Sequence, residues 1–99
     1  MKQTAIKIET SVIKAADKIA RELGLKKTAL FRDAFEESMT FTDEAILSSF
    51  TKDDHKIMCT LLIRDDHYNR VASLAKKANT SWSNMARSII SNFVKDQTN

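Results

Sequence analysis

Apolar side chains first recur at every second position and then, without a break, at every third or fourth. In "TAIKIETSVIKAADKIA", residues 4–20, Thr4, Ile6 and Ile8 share one parity while Gln3, Ala5 and Lys7 share the other, the period of a strand with one buried face. Further on, Val12, Ile13, Ala16, Ile19, Ala20 and Leu23 fall on one stripe of a helix. Thr10 or Ser11 offers that helix a capping hydroxyl, and Gly24 suits the left-handed position that ends it. A second helix is predicted after a short turn, with Leu30, Phe31, Ala34, Phe35 and Met39 facing inward.

The same order of patterns returns 55 residues later in "CTLLIRDDHYNRVASLAKKANTSWSNMARSIISNFV". Leu61 stands over Ile6, Ile63 over Ile8, Leu74 over Ile19, Ala75 over Ala20, Asn79 over Gly24, Ser83 over Thr28, Met85 over Leu30 and Arg87 over Arg32. Asparagine is the next residue after glycine to tolerate a left-handed cap. Asp65 or Asp66 is expected to cap the first helix of this copy and Ser81 the second. The chain therefore divides into a first copy over residues 1–39, a connector over 40–55 and a second copy over 56–99. In the connector, "TFTDEAILSSFTKDDH", Thr42 followed by Asp43 and Glu44 predicts a short helical turn.

Composition fits this reading. One glycine and no proline in 99 residues, with 42% hydrophobic side chains, disfavour a turn-rich β architecture and favour helices with short connections. So short a chain is near the lower limit for a self-sufficient core, and a core shared between the copies is expected. The net charge of +3 permits a polyanionic partner without requiring one. It is unevenly spread: residues 40–55 hold one basic and four acidic groups, residues 56–99 seven and three.

A strand of about five residues leaves backbone groups unpaired on both edges and does not persist alone. Its simplest partner is its own repeat, paired antiparallel, with Ile6, Ile8, Leu61 and Ile63 over the helices. The opposite face, carrying Gln3, Ala5, Lys7, Met58, Thr60 and Leu62, then turns outward. A two-stranded ribbon fits the major groove of B-DNA.

Strand, helix, short turn and helix, with Gly24-x-x-x-Thr28 and Asn79-x-x-x-Ser83 leading into the last helix of each copy, resembles the ribbon-helix-helix family of the Arc and methionine repressors. The resemblance covers residues 3–39 and 58–94. Family members pair two identical chains; this chain resembles a tandem version, an intramolecular pseudo-dimer of mostly α character with a short two-stranded antiparallel ribbon. The resemblance implies base contacts from Gln3, Ala5, Lys7, Met58, Thr60 and Leu62. It implies phosphate contacts at the starts of the second helices, from Lys26, Lys27 and Thr28 and from Ser81, Trp82 and Ser83. Two departures stand out: Lys26 replaces the small capping residue, and the outward face of the second strand has no charged group. An asymmetric DNA site is therefore expected, unless that strand is covered by another chain. Trp82 is open between backbone contact and packing.

Nothing in the sequence makes a catalytic case. The pairs Asp53–Asp54 and Asp65–Asp66 read as connector and capping residues, and no nucleophile has a companion base at useful spacing. His55 and His67 lack neighbouring ligands, Cys59 lies on the inward parity, and neither metal nor cofactor is expected. "NTS" at 79–81 matches a glycosylation acceptor by coincidence. The start "MKQTAIKIET" lacks the apolar run of a signal peptide and no segment reaches membrane-spanning length, so no membrane partner and a cytoplasmic location are expected; the resemblance implies a prokaryotic, phage or plasmid origin.

The function implied is sequence-specific binding of double-stranded DNA, foremost as a transcriptional repressor, with a second copy of the protein expected on adjacent DNA. Three alternatives stay open: an accessory protein of the relaxosome at a plasmid transfer origin, a ribbon-helix-helix antitoxin, and a protein-interaction module that does not touch DNA. No enzyme activity is expected.

Overall fold

Two strands, β1 (Lys2–Ile8) and β2 (Ile57–Ile63), pair antiparallel along their whole length in a computed structural model that describes residues 2–50 and 57–98, the side chains of Ile57 and Thr98 excepted. Between the strands lie α1 (Thr10–Leu23), α2 (Lys27–Ser38) and the short α3 (Asp43–Ser48); after them come α4 (Asp65–Lys77) and α5 (Trp82–Thr98). The molecule is mostly helical with a two-stranded sheet. The strands start 55 residues apart, and so do α1 and α4, and α2 and α5. His55 and the pair Asp53–Asp54 lie outside the described residues.

The alternation in the strands becomes burial. Ile6, Ile8, Leu61 and Ile63 are all but inaccessible, whereas the residues between them are exposed or, like Thr4 and Cys59 on the inner side, half-buried. Burying one such side chain stabilises by about 1.5–3 kcal/mol, which is why a ribbon this short, marginal in isolation, holds here.

Each strand runs almost directly into a helix. Only Glu9 and Arg64 separate them, and these extended residues take the N-cap positions without a side-chain cap bond. Capping by Thr10 or Ser11, and by Asp65 or Asp66, is thus corrected: the strand ends so close to the helix that Thr10 and Asp65 are already in the first turn. Asp65 and Asp66 there face the positive end of the helix dipole.

The helix ends match the pattern more closely. Gly24 has φ 70°, with the Leu25 N–H donating to the Ala20 carbonyl at 2.7 Å and the Gly24 N–H to Arg21 at 3.2 Å. Asn79 has φ 53°, with the Thr80 N–H donating to Ala75 at 3.0 Å and the Asn79 N–H to Lys76 at 3.2 Å. Both are the same Schellman closure. Ser81 caps α5 by accepting the Asn84 N–H at 3.1 Å, and Thr42 caps α3 by accepting that of Ala45 at 3.2 Å. Leu23 and Met39 are exposed rather than inward: Leu23 sits on the last turn of α1, and Met39 follows the end of α2.

Residues from before and after α3 fill one core, among them Phe31 and Phe35 of α2 and Met85, Ala86 and Ile90 of α5. α5 packs on β1, α1 and α2 as well as on α4, and α2 packs on β2. The Cα radius of gyration is 12.4 Å, close to the value of about 13 Å for a compact domain of this size. Polar links also join residues far apart in the chain. His67, 1% exposed, places Nε2 2.7 Å from Glu36 Oε2, an oxygen that Arg64 also reaches at 3.3 Å. Arg70 and Lys77 of α4 both hold Asp43 of α3, and Arg70 donates to the Phe41 carbonyl at 2.9 Å. Hydrogen bonds from Lys77 and Arg70 keep the Asp43 carboxyl below the usual carboxylate range.

Candidate nucleic-acid interface

Six side chains form the outer surface of the ribbon. Gln3, Ala5 and Lys7 on β1 and Met58, Thr60 and Leu62 on β2 are all exposed, because burial of the other parity leaves them no alternative direction. The register sets Ala5 opposite Thr60 at the centre, Lys7 opposite Met58 on one side and Gln3 opposite Leu62 on the other. Met58 and Leu62 are 57% and 51% exposed, large apolar groups facing water between polar neighbours. With Ala5 and Thr60 small and Gln3 and Lys7 long, the face combines methyl groups, hydrogen-bonding groups and one positive charge.

The second helices begin differently. Lys26 precedes α2 in extended conformation (φ −83°, ψ 151°) with no side-chain cap bond; the Ala29 N–H of the first turn donates to the Lys26 carbonyl at 3.0 Å, which leaves those of Lys27 and Thr28 as the ones an anion could meet. Lys26 is exposed and makes no ion pair among the described residues. Lys27, by contrast, pairs with Asp17 at 3.4 Å, which offsets part of its charge. Thr28 is exposed beside them.

At the start of α5, Ser81 is occupied as a cap and Ser83 is partly exposed. Trp82 is half-buried and packed: its indole N–H donates to the Tyr68 carbonyl at 3.1 Å, and its ring stacks on Tyr68 with centroids 4.8 Å apart. The Lys2 ammonium covers Tyr68 at 4.2 Å from the centroid. A cleft of about 350 Å³ separates this helix start from the ribbon, lined by Lys7, Met58, Ser81, Ser83, Asn84 and Arg87 among others. The structure thus brings Ser81 and Ser83 beside Lys7 and Met58.

One residue below this cleft escaped the sequence reading as a contributor. Arg87 is only 4% exposed and donates to the Lys7 carbonyl at 2.9 Å and to Asn84 Oδ1, tying α5 to β1 under the outward Lys7. The repeat aligns it with Arg32, which is exposed, so neither the alignment nor the local pattern marks this role.

Cys59 is half-buried on the inner side of β2. Burial pushes its thiol above the ordinary range, only partly opposed by Lys27. Among the described residues no group of three or more His, Cys, Asp or Glu side chains is placed to hold a metal ion, and no helix is long and apolar enough to cross a membrane. No family model, no curated protein and no solved structure matches the chain.

Proposed function

We propose that the chain is a single-chain ribbon-helix-helix protein that binds double-stranded DNA sequence-specifically, laying its ribbon in the major groove, and that it represses transcription by occupying an operator. The observation that carries this reading is the exposed ribbon face, six side chains on two paired strands, with the start of α5 beside it and α2 packed on β2. Lysine and glutamine hydrogen-bond guanine and adenine edges, while methyl-bearing side chains contact thymine. Lys26 and the start of α2, which no side chain caps, suit a phosphate. Joining both copies in one chain makes folding independent of protein concentration and lets the copies diverge.

Selection of bound duplexes from a randomised pool, followed by titration at two salt concentrations, tests the reading. A sharp motif whose affinity falls steeply with salt supports it, since phosphate contacts release counterions. A second reading rests on the exposed Met58 and Leu62: β2 is covered by another protein and the molecule is an interaction module. No enrichment from the pool, with partner binding that changes little with salt, favours that reading.

A further inference from the structure

A cavity of about 260 Å³, separate from the cleft beside Lys7, lies where α2, α3 and α5 meet, and no residue of either strand lines it. Helical spacing builds it. Ile89, Asn92, Phe93 and Asp96 recur at the three- and four-residue intervals that share one face of α5. Ala34, Glu37 and Ser38 do the same at the end of α2. Asn92 Nδ2 donates to the Ser49 carbonyl at 2.8 Å, which ties the end of α3 to α5 and fixes the third wall.

The walls are apolar and the charge is of one sign. Ala34, Ile46 and Ile89 are buried, while Phe41, exposed, and Phe93, half-buried, add aromatic surface. Among the described residues the charged side chains lining the cavity are Glu37 and Asp96, both carboxylates. Neither makes an ion pair among those residues, unlike Asp43, which Arg70 and Lys77 hold. Ser38 is the last residue of α2, so the negative end of that helix dipole lies here too, and the last turn has no basic residue. Lys95, next to Asp96 in sequence, does not line the cavity.

Independently of the DNA-binding reading, we propose that this cavity binds a small aryl-alkyl ammonium, its ring among Phe41, Ile46, Ile89 and Phe93 and its charge at Glu37 and Asp96. A cavity of about 150 Å³ holds benzene, so one of about 260 Å³ takes a single ring with a short chain and is too small for a peptide helix. An ammonium only donates and a carboxylate only accepts, so the cation matches both groups. A neutral ligand of the same shape fills the apolar part and leaves the carboxylates without a countercharge, and an anion is repelled.

Phenethylamine, phenethyl alcohol and hydrocinnamate, which share a ring and differ in charge, test the proposal. Each is titrated into the full chain at about 0.15 M salt, where attraction between distant exposed charges is screened, and followed by backbone amide shifts. The amine is expected to move amides of residues 34–49 and 89–96. It should bind about five- to ten-fold more tightly than the alcohol, the margin of a charge-assisted over a neutral hydrogen bond, and hydrocinnamate should bind most weakly. Glu37→Gln combined with Asp96→Asn is expected to abolish the margin and leave the alcohol's affinity unchanged. Ala45→Phe, which brings a ring to the cavity from an exposed position, is expected to weaken amine and alcohol alike. Thermal unfolding of each variant without ligand certifies its fold. Equal affinity for amine and alcohol in wild type, a margin that survives the double substitution, shifts outside those residues, or no binding of the amine overturns the proposal. None of these outcomes bears on DNA binding.

Discussion

Ala5 lies directly opposite Thr60 in the ribbon, and these two residues stand 55 positions apart, the same offset that separates Gly24 from Asn79. The sequence repeat and the strand register thus share one centre. Residues equivalent in the two copies face each other only there; away from it, Lys7 meets Met58, the counterpart of Gln3.

The inner face of the ribbon is where the shared core is most easily broken. Ile8 is fully buried, and Ile8→Ala removes three carbons from a packed site. The expected loss is about 2–5 kcal/mol, read as a lower denaturant midpoint, with Ile8→Val losing about 0.5–1.5 kcal/mol. Equal midpoints for wild type and Ile8→Ala contradict the assigned parity.

The two left-handed helix ends should respond oppositely to glycine and alanine. Gly24 has φ 70°, and an added Cβ meets nothing within 4 Å, so the cost of Gly24→Ala is conformational, about 1–2 kcal/mol. Asn79→Gly is expected to equal or exceed wild-type stability and Asn79→Ala to lower it. Thermal unfolding of the three variants checks this.

Phosphate contact is expected from Lys26 rather than equally from both lysines, because Asp17 already holds Lys27. Lys26→Ala should weaken selected and random DNA alike and reduce the salt slope by about one. Lys7→Ala should weaken the selected duplex by about 1–3 kcal/mol with a smaller loss on random DNA. Equal losses from both substitutions on both DNAs contradict this division of roles.

The clamp on the connector is pH-dependent in a definite direction. Lys77 and Arg70 lower the Asp43 pKa in the folded protein relative to its ordinary value of 3.8. Its contribution is therefore present above that value and lost as pH falls through the lower folded pKa. Asp43→Asn is expected to lower the melting temperature at neutral pH and to narrow the gap from wild type below about pH 4. A gap that widens on acidification contradicts the assignment.

Much of this was legible because period and parity are local. Alternation at Thr4, Ile6 and Ile8, the helical stripe from Val12, and Gly24 and Asn79 at the left-handed positions each follow from a few neighbouring residues. Thr42 and Ser81 as caps were legible for the same reason. What was misjudged depended on where one element stops and the next begins: Glu9 and Arg64 displaced the hydroxyl and carboxylate caps, and Leu23 and Met39 fell at helix ends where no partner covers them. Tertiary partners were the least visible. Nothing local distinguishes buried Arg87 under Lys7 from exposed Arg32, marks Asp17 as the partner of Lys27, or points His67 at Glu36.

Backbone amide shifts, recorded by NMR while a duplex chosen from the randomised pool is titrated in, test the central claim most directly. The account predicts the largest changes along residues 3–7 and 58–62 and at the starts of α2 and α5, around Thr28 and Ser83. Changes confined to the far side of the molecule, around Phe41 and Phe93, with the ribbon amides unmoved, would contradict it.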